Sequence, residues 1–288
     1  MVAFLVLAAV FTVIELVFGK DKRPRAPRSR WVDVLHFVAA RITEVPVGFV
    51  GLVVFAVFAI AAGWRGEPYE VWAAAHRSLF ARLPGAVQVV VALFVVDFAG
   101  YWVHRVQHAP PLWRFHAIHH SSTRLDWLAS VRNHPVSELV GRVLLLPPLL
   151  LLGIDVRVLA TVAPLVGIWA IFLHANVPFR FGLLRYVIAT PLFHRWHHSS
   201  EPEAHDKNFA GLFPIWDILF GTFYMPDRQP TAFGAAGEEV PEKFLAQLAY
   251  PFRRRSGYAP AQWPRSASGS SPICTSVPSR TTTASFGS

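Results

Sequence analysis

The 288 residues are 53% hydrophobic and only 16% charged, which points to a single membrane-embedded unit rather than a soluble domain. The net charge of +9 does not make this a nucleic-acid binder, because the arginines flank apolar runs and form no reading helix; lipid headgroups are the natural counter-charge. The lone Cys274 allows no internal disulfide and no thiolate cluster, so neither an oxidising compartment nor an iron–sulfur centre is supported.

Residues 2–18 form an apolar run long enough to span a bilayer, with Glu15 near one end. With no basic stretch before it and no small-residue cleavage site after it, this run reads as a retained anchor and not a signal peptide. Residues 20–30 pack six basic residues into eleven. The positive-inside rule then puts this segment in the cytoplasm and the N-terminus outside. A second span is expected over 47–63, followed by a less basic external loop over 64–85. His36 and His76, before and after that span, read as wetted or interfacial side chains. A third span over 86–102 returns the chain to the cytoplasmic side and runs directly into His104. Asp97 lies inside this span, where a carboxylate needs a partner or a task. It is expected either to fix a ligand imidazole or its neighbour, or else to pair with Arg105 or snorkel. Residues 136–152 reach only about 25 Å as a helix, with Pro147 and Pro148 near the far end, and so read as a marginal or tilted span. After the turn Gly153-Ile154-Asp155, residues 157–173 form another span that ends at His174. The fold class is therefore all-α: a multi-pass transmembrane bundle of about four spans, or a hairpin pair, with a histidine-rich cap on the cytosolic face. The divisions are 1–85 for the anchor spans, 86–230 for the catalytic domain and 231–288 for a C-terminal segment, disordered from about 253.

The chemistry lies in three histidine boxes. In HRVQH, His104 and His108 are one helical turn apart and leave the same face. Proline in Ala109-Pro110-Pro111 stops that helix, and a second helix carries His116, His119 and His120 in HAIHH. His119 and His120 diverge by about 100° around the axis, so one helix can feed two neighbouring metal centres. The third box, HRWHH, repeats the pattern with His194, His197 and His198. These eight imidazoles are enough for four ligands to each of two metals. A single HxxxH means little, but burying eight imidazoles without metals leaves many ring nitrogens seeking partners. His134 and His174 are additional candidate ligands; His134, followed by Pro135 with Glu138 one turn on, also reads as a capping group. His205, Asp206 and Asn208 sit where they can support the site, and Asp97, Asp126, Glu138 and Asp206 can supply the negative charge that neutral imidazoles lack.

Imidazole suits iron, zinc, copper or nickel alike. A membrane setting beside two adjacent sites favours redox work on an apolar substrate. No Glu-x-x-His occurs, which counts against a carboxylate-bridged bundle. HExxH, GxSxG and the Walker A loop are also missing. The competing readings are a bis-histidine haem protein and a divalent-metal transporter.

The boxes HRVQH, HAIHH and HRWHH, with RNHPVSE between them, HANV before the last and NFAGLFPIWDILFGTF after it, resemble the fatty acid hydroxylase/sterol desaturase superfamily of integral-membrane non-haem di-iron oxidoreductases. The resemblance runs from about residue 93 to 226. It implies a helical membrane fold with two Fe ions at the cytosolic face, and O2 as co-substrate for hydroxylating or desaturating a fatty acyl, sterol or other long-chain lipid. It further implies that the eight box histidines are ligands, and that positions 134 and 174 supply further histidines. Where many members read Asn-Tyr-Gly, this chain has Asn208-Phe209-Ala210. No fused cytochrome b5 domain or reductase motif is visible, so electrons are expected from a separate reductase, ferredoxin or cytochrome b5 type protein.

Overall fold

The computed structural model describes residues 2–19, 21, 27–68, 71–72, 80, 83–152, 154–179 and 181–253. His76, Gly153, Cys274 and the C-terminal segment expected to be disordered lie outside the described residues. Residues 1–254 form one compact unit. Its described part is helical, apart from an isolated antiparallel bridge between Ser199 and Phe233.

Helix α1 (Val2–Phe18) presents Leu5, Val13 and Leu16 outward and buries Phe11 against Ala175 and Val177. Its Glu15 carboxylate accepts the backbone N–H groups of Trp127 and Asn176, both at 2.8 Å, which fastens the helix to the end of the molecule that carries the boxes. Helix α2 (Pro27–Ala61) runs unbroken for 35 residues, or about 52 Å at the helical rise. The sequence placed only its second half, over 47–63. The structure carries Pro46 inside the helix and uses the first turns for a different purpose, packing them into the cap.

Among the described residues three helices are long and apolar enough to cross a bilayer, the mark of a membrane protein: Ser29–Ala61, Gly85–Gln107 and Arg157–His174. The second is α3 (Gly85–Gln107), and the third lies within α6 (Val156–His174). At 17 residues each, α1 and α5 (Pro135–Leu151) fall short of that length. Helices α3, α5 and α6 share an apolar core of Ala92, Leu149, Ile154 and Val162. The start of α6 is set by Asp155, whose side chain accepts the Arg157 N–H at 2.7 Å.

The cap is built from short pieces: α4 (Trp113–His120), a 3-10 turn Trp127–Val131, a 3-10 turn Gly182–Tyr186, α7 (Pro191–His197), α8 (Ile215–Leu219) and α9 (Phe244–Ala249). Thr190 caps α7 by accepting the Phe193 N–H, with Pro191 in the first turn where its missing donor costs nothing. His36, expected to be wetted or interfacial, is fully buried. Its Nδ1 meets the Asn133 carbonyl at 2.9 Å and its Nε2 meets Gln247 Oε1 at 2.7 Å, so it ties α2 to α9 across the cap.

Candidate metal centre

The end of α3, all of α4, the end of α6 and all of α7 converge on two adjoining groups of imidazoles. His104, His108, His116, His120 and His197 form one; His119, His174, His194 and His198 form the other. Within each group the ligand-capable nitrogens lie within 4.8 Å of one another. Helix α4 feeds both, as His116 and His120 go to the first group and His119 to the second. Helix α7 does the same in reverse, giving His197 to the first and His194 and His198 to the second. The groups touch where the rings of His120 and His198 stack at 4.3 Å.

Ring orientation is imposed by backbone carbonyls. The Nδ1–H of His104 donates to Phe209 O at 2.8 Å, that of His119 to Arg132 O at 3.0 Å, that of His174 to Ala170 O at 2.7 Å and that of His197 to Lys207 O at 2.8 Å. A carbonyl can only accept, so each of these nitrogens carries the proton, and the neutral ring is left with a bare lone pair on Nε2. Yet His119 Nε2 faces His174 Nε2 at 3.2 Å, with both Nδ1 protons already committed to carbonyls. Lone pairs held that close repel unless a cation lies between them. Two ligands at right angles around a metal with bonds of about 2.1 Å sit about 3.0 Å apart, close to the spacing seen. The same spacing disfavours a haem, whose two axial nitrogens stand about 4 Å apart across the ring. The donor set fits two metal ions.

Electrostatics keep the rings in their ligand form. Burial, reinforced by neighbouring imidazoles, holds His116, His119, His120, His194, His197 and His198 well below the ordinary 6.5. Burial lowers His108 too, opposed by the Asp206 carboxylate 3.2 Å from its Nδ1. Asp206 therefore touches a candidate ligand, as carboxylates behind metal-bound histidines do.

The remaining candidates are placed elsewhere. His134 belongs to neither group: its Nδ1 accepts the Val136 N–H at 3.0 Å and its Nε2 meets Leu248 O at 3.1 Å, which makes it a cap for α5. Glu138 takes the Asn133 side-chain amide at 3.1 Å. His205 is exposed and meets Ser200 O at 3.3 Å. Asp97 pairs with neither an imidazole nor Arg105. It accepts the backbone N–H groups of Gly211, Leu212 and Phe213 at 3.0, 2.7 and 2.8 Å. Asn208, left-handed at φ 60°, staples Phe193 O and Tyr224 O with its amide and takes the Tyr224 N–H on its oxygen.

Sequence reasoning missed Asp217, Asp33 and Gln247. Asp217 is buried and takes the N–H groups of Phe209 and Ala210 at 2.8 and 2.9 Å, so it fixes the carbonyl that orients His104. Asp33 is buried against Arg132, Nε to Oδ1 2.6 Å, and so fixes the carbonyl that orients His119. The signal available for both was an acidic residue inside an apolar stretch, the same signal that singled out Asp97.

Residues 89–222 match the family model described as fatty acid hydroxylase. The chain is 40% identical over 174 residues to an ornithine lipid hydroxylase of Rhizobium tropici, covering 60% of this chain and 52% of that one. It is 33% identical over 145 residues to an alkylglycerol monooxygenase of Danio rerio, covering 50% and 32%. It is 28% identical over 153 residues to a very-long-chain aldehyde decarbonylase of Oryza sativa subsp. japonica, covering 48% and 46%. The matched region thus spans about half or less of each of these relatives. No solved structure matches the chain. Boxes, paired imidazole groups and family match coincide on one stretch of chain, and residues 89–222 are a fatty acid hydroxylase domain of the fatty acid hydroxylase/sterol desaturase superfamily.

Proposed function

We propose that the protein is a membrane-bound, O2-dependent, non-haem di-iron oxidoreductase acting on a lipid. His104, His108, His116, His120 and His197 would hold one iron, and His119, His174, His194 and His198 the other. The observation that carries this reading is the pair of bare Nε2 lone pairs of His119 and His174 facing each other at 3.2 Å inside a fatty acid hydroxylase domain. Bound there, a pair of irons supplies the O2 activation and electron capacity needed to break an unactivated C–H bond. The chain's own residues do the rest. Backbone carbonyls hold the rings, Asp206 adds negative charge at His108, and Phe209, against His104, His108 and His197, keeps water from the first group.

Two of the relatives carry the names hydroxylase and monooxygenase, which supports oxygen insertion as the outcome over desaturation. The substrate would enter laterally from the bilayer, and the electrons would come from a separate donor protein. The basic segment over 20–30 supports a cytoplasmic position for the centre. Metal analysis of the purified protein, combined with incubation of a membrane lipid extract, 18O2 and a reducing system, tests the proposal. About two irons per chain and an 18O-labelled lipid are expected. Protein loaded with zinc alone, or iron-loaded protein that leaves every lipid unlabelled, defeats it.

A further inference from the structure

We propose that residues 209–223, with α8 at their centre, form a re-entrant element immersed in the leaflet on the metal-centre side, covered by lipid and not by water. This rests on the reading of α3 as a membrane-crossing helix. Three aromatic contacts trace the path of the segment against that helix. It starts beside the metal ligands, where the Phe209 ring lies 5.6 Å from His104. Four residues later Phe213 stacks on Phe94 at 4.1 Å. The chain then turns back, Trp216 packing on Phe98 at 4.9 Å and Phe220 on Trp102 at 4.9 Å. Phe94, Phe98 and Trp102 form one stripe of α3, four residues apart. Phe94 lies ten residues before His104, about 15 Å along an axis about 34 Å long in all. The segment therefore climbs to roughly the middle of α3 and returns, and a bilayer that covers that stretch of helix also covers α8.

The outward face agrees with this. Helix α8 exposes Ile218 and Leu219, the latter 63% exposed, and its one charged residue, Asp217, is turned inward and fully buried. Next to it, through a Tyr186–Phe223 ring contact at 5.7 Å, the turn Gly182–Tyr186 exposes Leu183 at 84%. Irregular backbone survives at lipid depth only where its polar groups are satisfied within the protein. Here Asp217 takes the N–H groups of Phe209 and Ala210, and Asp97 takes those of Gly211, Leu212 and Phe213. Two carboxylates, Asp97 inside the span with three donors and Asp217 on α8 with two, thus satisfy five consecutive backbone N–H groups.

The test uses the full chain in lipid nanodiscs, with Cys274→Ser and a spin label at Leu219→Cys. References are labels at Val53→Cys, exposed on α2, and at Glu242→Cys, on an exposed loop. Collision rates with O2 and with a water-soluble nickel chelate are compared. Leu219 is expected to follow Val53, with nickel accessibility at least fivefold below that at Glu242 and high O2 accessibility. Nickel accessibility equal to that at Glu242 puts α8 in water and overturns the proposal. Exclusion of both reagents means protein covers it, such as a second copy of the chain, and also overturns it. If Val53 itself reads as aqueous, α2 is not in lipid, the helical bundle that contains α3 loses its membrane-crossing reading, and the proposal goes with it.

Discussion

His119 is oriented by the carbonyl of Arg132, and Arg132 is in turn pinned by its own guanidinium, which reaches Asp33 at 2.6 Å and Ser121 Oγ at 3.1 Å. Removing one partner of a buried ion pair leaves the other desolvated, so Asp33→Ala should cost about 3–5 kcal/mol in a reversible unfolding measurement. Because the damage passes through His119, the same variant should lose iron from the second group before the first, reading near one iron per chain after mild dialysis. His119 and His120 provide a sharper comparison, as they are adjacent in sequence but belong to different groups. His119→Ala and His120→Ala should each retain about one iron. If either substitution empties both sites, the imidazoles hold one shared assembly in place of two separable centres. The boxes were legible because i, i+3 and i, i+4 spacing survives translation into a helix. The fate of His134 was not. A capping imidazole and a metal ligand can occupy the same sequence position, and only the backbone partners on both ring nitrogens separate them.

At the scale of elements, the loop 209–213 links the two ends of the matched stretch 89–222 through carboxylates. Asp97 Oδ1 accepts from Gly211 and Leu212, and Oδ2 accepts from Phe213. Asp97→Asn keeps the shape but turns one acceptor into a donor, leaving at least one buried N–H unmatched. About 1–3 kcal/mol of stability should be lost, together with faster release of iron to a chelator, because Phe209 O no longer holds His104 as firmly. Wild-type release rates in this variant would remove the loop from the support of the centre. The sequence flagged Asp97 by its cost in an apolar helix but could not name its partners, which lie more than a hundred residues away. Helix α2 shows the opposite failure. The expected span began at residue 47, yet the helix starts twenty residues earlier, at Pro27, and continues through Pro46, its first turns held to the cap by Asp33–Arg132 and by His36.

For the molecule as a whole, apolar length made the membrane character legible, while the cap depended on long-range contacts that periodicity does not encode. The flanks outside residues 89–222 belong to the support of the centre, because α2 and α9 meet at the His36–Gln247 bond, next to the strand of chain that orients His119. Crowding so many neutral imidazoles together also ties folding to metal and to pH. In the metal-free protein, His116, His119, His120, His194, His197 and His198 resist protonation well below 6.5, whereas in the unfolded chain they titrate near that value. As pH falls through 6.5 the unfolded chain takes up protons that the folded chain cannot, so stability is full above that point and is lost below it. Each group can contribute up to about 1.4 kcal/mol per pH unit until its folded-state value is reached. Metal binds the folded state, so loading with iron should raise the midpoint of thermal unfolding at pH 7.5. Chelated protein melted in detergent at pH 7.5, 6.5 and 5.5 should show a steep fall across the last interval and little change across the first. A melting temperature that stays level down to pH 5.5 would mean that the imidazoles are not buried as neutral groups, and the two-metal cage would lose its physical basis.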